Sequence, residues 1–386
     1  MSTNVKIWLS LAKMGGEEQK YIQEAFDKNW VVPLGPNVDG FEQDLEKFLI
    51  KNKNVVALSS GTAAIHLALI LLGVDSGDEV ICQTFTFSAS ANPIKYVGAN
   101  PVFVDSESDT WNMSPVLLEK AIIERFEVTG KFPKAIIPVH LYGMPAKMEE
   151  IMAIANKYEI PVLEDAAEAL GSHYGGRYCG TFGEFACLSF NGNKIITTSG
   201  GGALVCNNAD DANAAKFLAT QARDKAPHYQ HSHIGYNYRL SNICAGIGRG
   251  QMLVLEEHII ARRGINLKYR EYLKDFPGIL LLTEPNEYFY SNHWLTCILI
   301  DATVTGFTRE DLRLKMEEEN IETRPLWKPM HLQPVFAEYP AYLDDNYGEL
   351  GLSGFLFERG LCLPSHPGLT DEDINRVVDV IKKMFN

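Results

Sequence analysis

Four short runs rich in Val and Ile, at residues 79–82, 101–104, 135–139 and 162–164, alternate with stretches patterned as helix at 63–72, 114–123 and 148–158. Short apolar runs in this setting are buried strands, and strand, helix, strand at this rhythm builds a mostly parallel sheet with covering helices. Ser114 followed by Pro115 supplies an N-cap and a first-turn residue for one of those helices. Two further runs, 185–190 and 202–206, follow and extend the same sheet. A proline-free helical pattern then spans about 242–276, with several glycines near its start. Beyond it the rhythm changes to 278–282, 293–300, a helix at 309–319 and a closing helix at 371–385. The expected class is α/β, with a large domain over 1–250 and a smaller α+β domain over 251–386.

Composition narrows the function. A chain of 386 residues with 46% hydrophobic and 22% charged residues has material for full cores in two or three domains. Its formal charge of −14 argues against a dedicated nucleic-acid binder, which needs a basic face. An acidic protein that holds phosphate must use local means: helix N-termini, glycine loops and a few placed cations. The seven cysteines are Cys82, Cys179, Cys187, Cys206, Cys244, Cys297 and Cys362. Their odd number and lack of a CxxC pair disfavour a zinc site or a disulfide framework and point to free thiols in a reducing compartment. Residues 1–11 lack a leader pattern, and the apolar segment 63–74 is too short to span a bilayer. The expectation is a cytoplasmic protein with no metal site and no membrane contact.

Three segments carry chemistry. The first is Ser189-Phe190-Asn191-Gly192-Asn193-Lys194, followed by Thr197-Thr198-Ser199-Gly200-Gly201-Gly202. A lysine between an apolar strand and a glycine-rich turn has room around its ammonium, and such an amine can form a Schiff base with an aldehyde cofactor. Taken alone, a surface lysine in a loop explains it as well. The second is Val162-Leu163-Glu164-Asp165-Ala166-Ala167-Glu168. A carboxylate at the end of a buried strand lies where open α/β sheets bind ligands, and it can hold a protonated pyridine nitrogen. A strand end turning into solvent explains Glu164 well, but explains Asp165 before two alanines less well. The third is Leu58-Ser59-Ser60-Gly61-Thr62-Ala63-Ala64, small residues that close a strand and open an apolar helix. Unpaired first-turn N–H groups form an anion site there, although any helix needs an N-cap. His66 reads as a packed core histidine.

In this order the three segments resemble the nucleotide-sugar aminotransferases of the DegT type, in the aspartate-aminotransferase fold (fold type I). The likeness takes in Met14-Gly15-Gly16-Glu17, Pro33-Leu34-Gly35, Thr84-Phe85-Thr86-Phe87-Ser88-Ala89, His140-Leu141-Tyr142-Gly143, Gly235-Tyr236-Asn237-Tyr238-Arg239-Leu240, Glu322-Thr323-Arg324-Pro325-Leu326-Trp327 and His331. It implies a mostly parallel seven-stranded sheet between helices and pyridoxal 5′-phosphate (PLP) as cofactor. By position, Lys194 looks like the Schiff-base lysine and proton shuttle, and Asp165 like the partner of the pyridine nitrogen. Phe87 falls where the family stacks an aromatic ring. Ser60, Gly61, Thr62, Ala63 and Ser189 fall where it holds the phosphate, and Glu168 where an acid or amide faces the cofactor. Asn237 matches a residue that reaches the phosphate from the second subunit, which implies a homodimer with shared sites; Arg239 is as readily structural.

Two departures refine the likeness. Asn191-Gly192-Asn193 stands where many relatives have His-Pro-Thr, and Ser199-Gly200-Gly201-Gly202 where many have Gly-Glu-Gly-Gly. With Thr323-Arg324-Pro325-Leu326-Trp327-Lys328 they look like members that move an amino group from L-glutamate to C4 of a UDP-linked 4-keto-6-deoxy-N-acetylhexosamine. Arg324, Trp327, Lys328 and His331 are then the expected substrate contacts. The alternative for that segment is a packed strand end with Trp327 in the core and the charges in water. Two other functions compete: a GDP-4-keto-6-deoxymannose aminotransferase (perosamine synthase) and a non-catalytic regulator on the same fold. Relatives that dehydrate sugars carry histidine at the lysine position, and this chain keeps Lys194.

Overall fold

The computed structural model describes residues 5–49 and 52–385; the first four residues of the stretch read for a leader lie outside them. Seven strands form one twisted sheet: β1 (Asn54–Leu58), β2 (Glu79–Gln83), β3 (Asn100–Val104), β4 (Ala135–Ile137), β5 (Leu163–Asp165), β6 (Phe185–Ser189) and β7 (Gly202–Cys206). Their spatial order is β1-β7-β6-β5-β4-β2-β3, the β5–β4 seam being closed by parallel bridges Ile136–Val162 and Val139–Asp165. A two-residue strand, Ala341–Tyr342, adds to the β3 edge. The sheet is parallel from β6 through β3. Only β7 runs antiparallel to its neighbours β6 and β1. Its reversal follows from its connection: the chain returns from β6 through the glycine-rich lysine turn, without the helical crossover a parallel return requires.

Strand alternation fills two cores from one strand. Val56 and Leu58 of β1 pack with the helix Gly61–Leu71, while Val55 and Ala57 pack with the helix Pro36–Leu49 on the opposite face. Gly61–Leu71 is apolar nearly all round because it lies inside the protein rather than on its surface. His66 is buried on this helix, with Nδ1 3.2 Å from the Tyr238 hydroxyl. Ser114 caps the helix Pro115–Thr129, accepting from Leu117 N.

The pattern at 242–276 is two helices rather than one, Asn242–Met252 and Leu255–Leu273. The first is pinned by close approach. A Cβ on Gly248 would stand 2.7 Å from the Phe41 ring, and one on Gly250 2.7 Å from Glu18. The second helix follows a different course, toward a four-stranded antiparallel sheet. Its strands are β8 (Ile279–Leu281), β9 (Thr296–Ile300), β10 (Arg324–Pro325) and β11 (Gly360–Leu363), in the order β8-β9-β11-β10. Ile265, Tyr269 and Leu273 pack there with Ile298, Leu312, Leu361 and Val377. The first described residues cross to this layer, where Ile7 is buried and bridges Ile321. The cysteines are free thiols, all buried except the half-buried Cys244.

Candidate active site

The carboxyl ends of β1, β2, β5 and β6 converge on a cavity of about 340 Å³, where an open α/β sheet offers its ligand crevice. Beyond β1, Ser60 caps the helix Gly61–Leu71, its Oγ accepting from Ala63 N at 3.1 Å. The N–H groups of Gly61 and Thr62 have no partner among the described residues and open on the cavity. A Cβ on Gly202 would sit 2.3 Å from Gly61 N, so β7 can lie against this turn only with glycine there. With Ser189 and Thr62 hydroxyls on the same wall, this end of the cavity is built for an anion.

At the end of β5, Asp165 is buried on the cavity wall. Its Oδ2 accepts from Ser90 Oγ at 2.6 Å and its Oδ1 from Ala167 N at 3.1 Å. Glu164 is not at a solvent-turned strand end. Alternation sends it to the opposite face, fully buried, where it accepts from His140 Nε2 at 2.9 Å and from the backbone of Gly180, Phe182 and Gly183. Burial works to raise its pKa, but His140 and those N–H groups win and hold it below the usual carboxylate range. Ala146 N donates to His140 Nδ1 at 3.0 Å, which with the Glu164 contact fixes the ring's orientation.

Lys194 Nζ lies 3.3 Å from Glu168 Oε1 and 4.3 Å from the centre of the Trp294 ring. Glu168 Oε2 accepts from Tyr142 N at 2.7 Å. Burial pushes the Glu168 carboxyl above its ordinary range, and the adjacent ammonium only partly offsets it. Phe87, 54% exposed, stands over the cavity with its ring 5.6 Å from that of Trp327. Ala63 is the third residue of the helix Gly61–Leu71; its N–H is spent on the Ser60 cap, and it does not line the cavity. The donor set suits PLP: unpaired N–H groups and hydroxyls for a phosphate, a carboxylate for a pyridine nitrogen, an aromatic face and a primary amine.

Of the four residues read as substrate contacts, only Trp327 reaches the cavity wall. Arg324 lies on β10, is exposed and pairs with Glu322 at 2.9 Å. Lys328 is exposed beyond the wall. His331 is held by the fold, with Nδ1 2.7 Å from Thr84 Oγ1 and Nε2 3.2 Å from Leu350 O. Asn237 is exposed, takes a hydrogen bond from Gln221 and does not line the cavity of its own chain. Arg239 is structural, bonding Glu42 and Ala57 O. Sequence reading missed Trp294, Thr86, Ser90 and Asn193. Thr86 stands inside the quoted Thr84–Ala89 run and Ser90 next to it, whereas Trp294 arrives from a hundred residues beyond Lys194 with no local pattern to flag it. Among the described residues, no cluster of His, Cys, Asp or Glu could hold a metal ion, and no helix is long and apolar enough to cross a membrane.

An open α/β sheet with a lysine on the β6–β7 turn, an acid ending the central strand and an anion cradle at the first βα turn defines a PLP-dependent aminotransferase of fold type I. Residues 12–382 match the DegT/DnrJ/EryC1/StrS aminotransferase family, and the chain belongs to that family. It is 50% identical to the putative pyridoxal phosphate-dependent aminotransferase EpsN of Bacillus subtilis (strain 168), covering 99% of this chain and 96% of that one. It is 38% identical to GDP-perosamine synthase of Escherichia coli O157:H7, with 96% of each covered. The crystal structure of a DegT DnrJ EryC1 StrS aminotransferase from Brucella abortus superposes with a TM-score of 0.87 at 30% identity, covering 96% of this chain and 95% of that one. The protein is thus a sugar aminotransferase with PLP as its cofactor.

Proposed function

We propose that the acceptor is a UDP-linked 4-keto-6-deoxy-N-acetylhexosamine, aminated at C4 with L-glutamate as donor. The observation that carries the catalytic part is the convergence of Lys194, Glu168 and Asp165 on one cavity. When bound, PLP supplies the electron sink that makes a carbon acid next to nitrogen labile. Asp165, fixed by Ser90 and Ala167, holds the ring nitrogen as a cation. The helix start at Ser60, Gly61 and Thr62, with Ser189, holds the phosphate. Phe87, standing over the cavity, would cover the face of the cofactor ring. Lys194 Nζ is placed to take a proton from the donor carbon in one half-reaction and to deliver one to the acceptor carbon in the other. Glu168 lies close enough to bear the opposite charge while the ammonium exists.

The nucleotide assignment rests on Ser199-Gly200-Gly201-Gly202 occurring together with Thr323-Arg324-Pro325-Leu326-Trp327. Trp327 then faces the sugar, and Lys328, exposed beside it, meets the diphosphate. A second reading, GDP-4-keto-6-deoxymannose as acceptor, is favoured by the likeness to GDP-perosamine synthase. Asn237 of a second subunit completes the phosphate site in either case. The test offers the PLP-loaded enzyme glutamate and three acceptors in parallel: the UDP-4-keto-N-acetylhexosamine, GDP-4-keto-6-deoxymannose and a dTDP-4-keto-6-deoxyglucose. Aminated product is read by mass spectrometry. Preference for the UDP sugar is expected; preference for either other acceptor overturns the assignment and leaves the cofactor roles standing.

A further inference from the structure

Arg262, on the helix Leu255–Leu273, is 1% exposed and hydrogen-bonds no carboxylate. A buried cation without a counter-ion is costly, and burial alone pulls this guanidinium down to about 9. Its hydrogen bonds go instead to four oxygens from four separate segments. Nη1 donates to Trp294 O at 2.5 Å and Ser365 O at 3.1 Å; Nη2 donates to Ser10 Oγ at 3.2 Å and Lys194 O at 3.5 Å. Three of these four partners act on the same turn. Lys194 is reached directly. Ser10 spends its only proton on Asn193 O at 2.6 Å, leaving a lone pair for Arg262. Trp294 gives its indole N–H to that same Asn193 O at 2.7 Å and lays its ring under Lys194 Nζ.

We propose that Arg262 is a positioning residue for the aminotransfer: its fork fixes the Asn193–Lys194 backbone against Trp294 and so sets where the amine stands in the cavity. The proposal rests on reading Lys194 as the reacting amine. Lysine at position 262 keeps the charge but cannot bridge four oxygens, since an ammonium has three donors and no planar fork.

The experiment uses the full-length protein, as Arg262→Lys, Arg262→Gln and Trp294→Phe. Amide hydrogen exchange is measured on the cofactor-free protein in segment 190–198, with the β5 segment 161–167 as internal control. In Arg262→Lys, exchange in 190–198 should rise about tenfold, the control should stay unchanged, and kcat should fall with little change in KM. Trp294→Phe keeps an aromatic face beside Lys194 but loses the bond to Asn193 O, so it should move the same segment by less. Native-like exchange in 190–198 for a folded Arg262 variant overturns the proposal. A raised KM at unchanged kcat does so as well. Failure of both Arg262 variants to fold also overturns it, by making Arg262 a determinant of the fold. The exchange readout does not depend on catalysis, so failure of the Lys194 reading, tested separately by Lys194→Ala, remains distinguishable.

Discussion

Ser90 gives its hydroxyl proton to Asp165 Oδ2 across 2.6 Å, and because that proton is spent, the 2.6 Å contact with Thr86 Oγ1 must be donated by Thr86. The relay runs Thr86 to Ser90 to Asp165, from one cavity wall to the other. It fixes the rotamer of the buried Asp165 carboxyl. Asp165→Asn should fold normally and lose about a hundredfold or more in kcat, since an amide offers no negative charge to a ring cation. Ser90→Ala removes one charge-assisted bond and should cost about tenfold. Steady-state kinetics with far-UV circular dichroism as a fold check tests both; near-native turnover in Asp165→Asn would sink the assignment.

Removing the amine separates binding from chemistry. Lys194→Ala should show background turnover and no visible absorbance from a lysine–cofactor linkage. The anion cradle at Ser60–Thr62 and the Asp165 carboxylate are untouched by the change. Added PLP should therefore still raise the melting temperature, by mass action on the native state. Normal transamination by this variant would mean that the wrong lysine has been chosen.

The parts of the site that lie within one stretch of chain were legible in the sequence. The Ser60 helix start, the Asp165 strand end and the Lys194 turn are each marked locally by small residues or a break in the apolar pattern, and their resemblance as an ordered set is what singles them out. Two kinds of information were not. One is which face a strand residue takes: Asp165 reads as facing the ligand crevice, but Glu164 reads as a strand end in solvent, and the register against β6 instead buries it against the Gly180–Gly183 turn. The other is long-range convergence. Ser10, Arg262 and Trp294 meet at Asn193 and Lys194 from three distant segments, and no spacing in the sequence encodes that meeting. The reversed direction of β7 was hidden for a related reason, since the composition of a strand does not depend on its direction.

The segment ending in Asn237 is anchored on the cavity rim, with Ser59 N donating to Tyr238 O at 2.7 Å, yet the Asn237 side chain lies outside its own cavity. A residue so placed can serve a second subunit. Lys194→Ala and Asn237→Asp should each be inactive alone. Mixed after partial denaturation, they should form hybrid dimers in which one site recovers both native residues. Up to half of wild-type activity per hybrid is expected. Absence of recovery, together with an active monomer in sedimentation, would remove the shared-site reading.

Glu284 should govern the acid limb of stability. Its Oε1 meets Arg263 Nη1 at 2.7 Å and His293 Nε2 at 3.0 Å, and its Oε2 meets Arg270 Nη2 at 2.6 Å. Burial works to raise its pKa, but His293 and Arg270 overcome that and hold it far below the usual carboxylate range. A carboxyl with a depressed folded pKa contributes stability that is fully present above its unfolded value, about 4.3, and drains away as pH falls toward the folded value. Glu284→Gln leaves two half-buried arginines without their carboxylate and should cost roughly 1–2 kcal/mol at pH 7, between an exposed pair and a fully buried one. The difference in melting temperature between wild type and variant should shrink as pH falls below about 4, as the wild-type advantage is titrated away. Thermal unfolding of the cofactor-free protein as a function of pH measures it. A gap that persists undiminished at pH 3, or widens there, would mean that the charge of Glu284 is not what holds Arg263, Arg270 and His293 together.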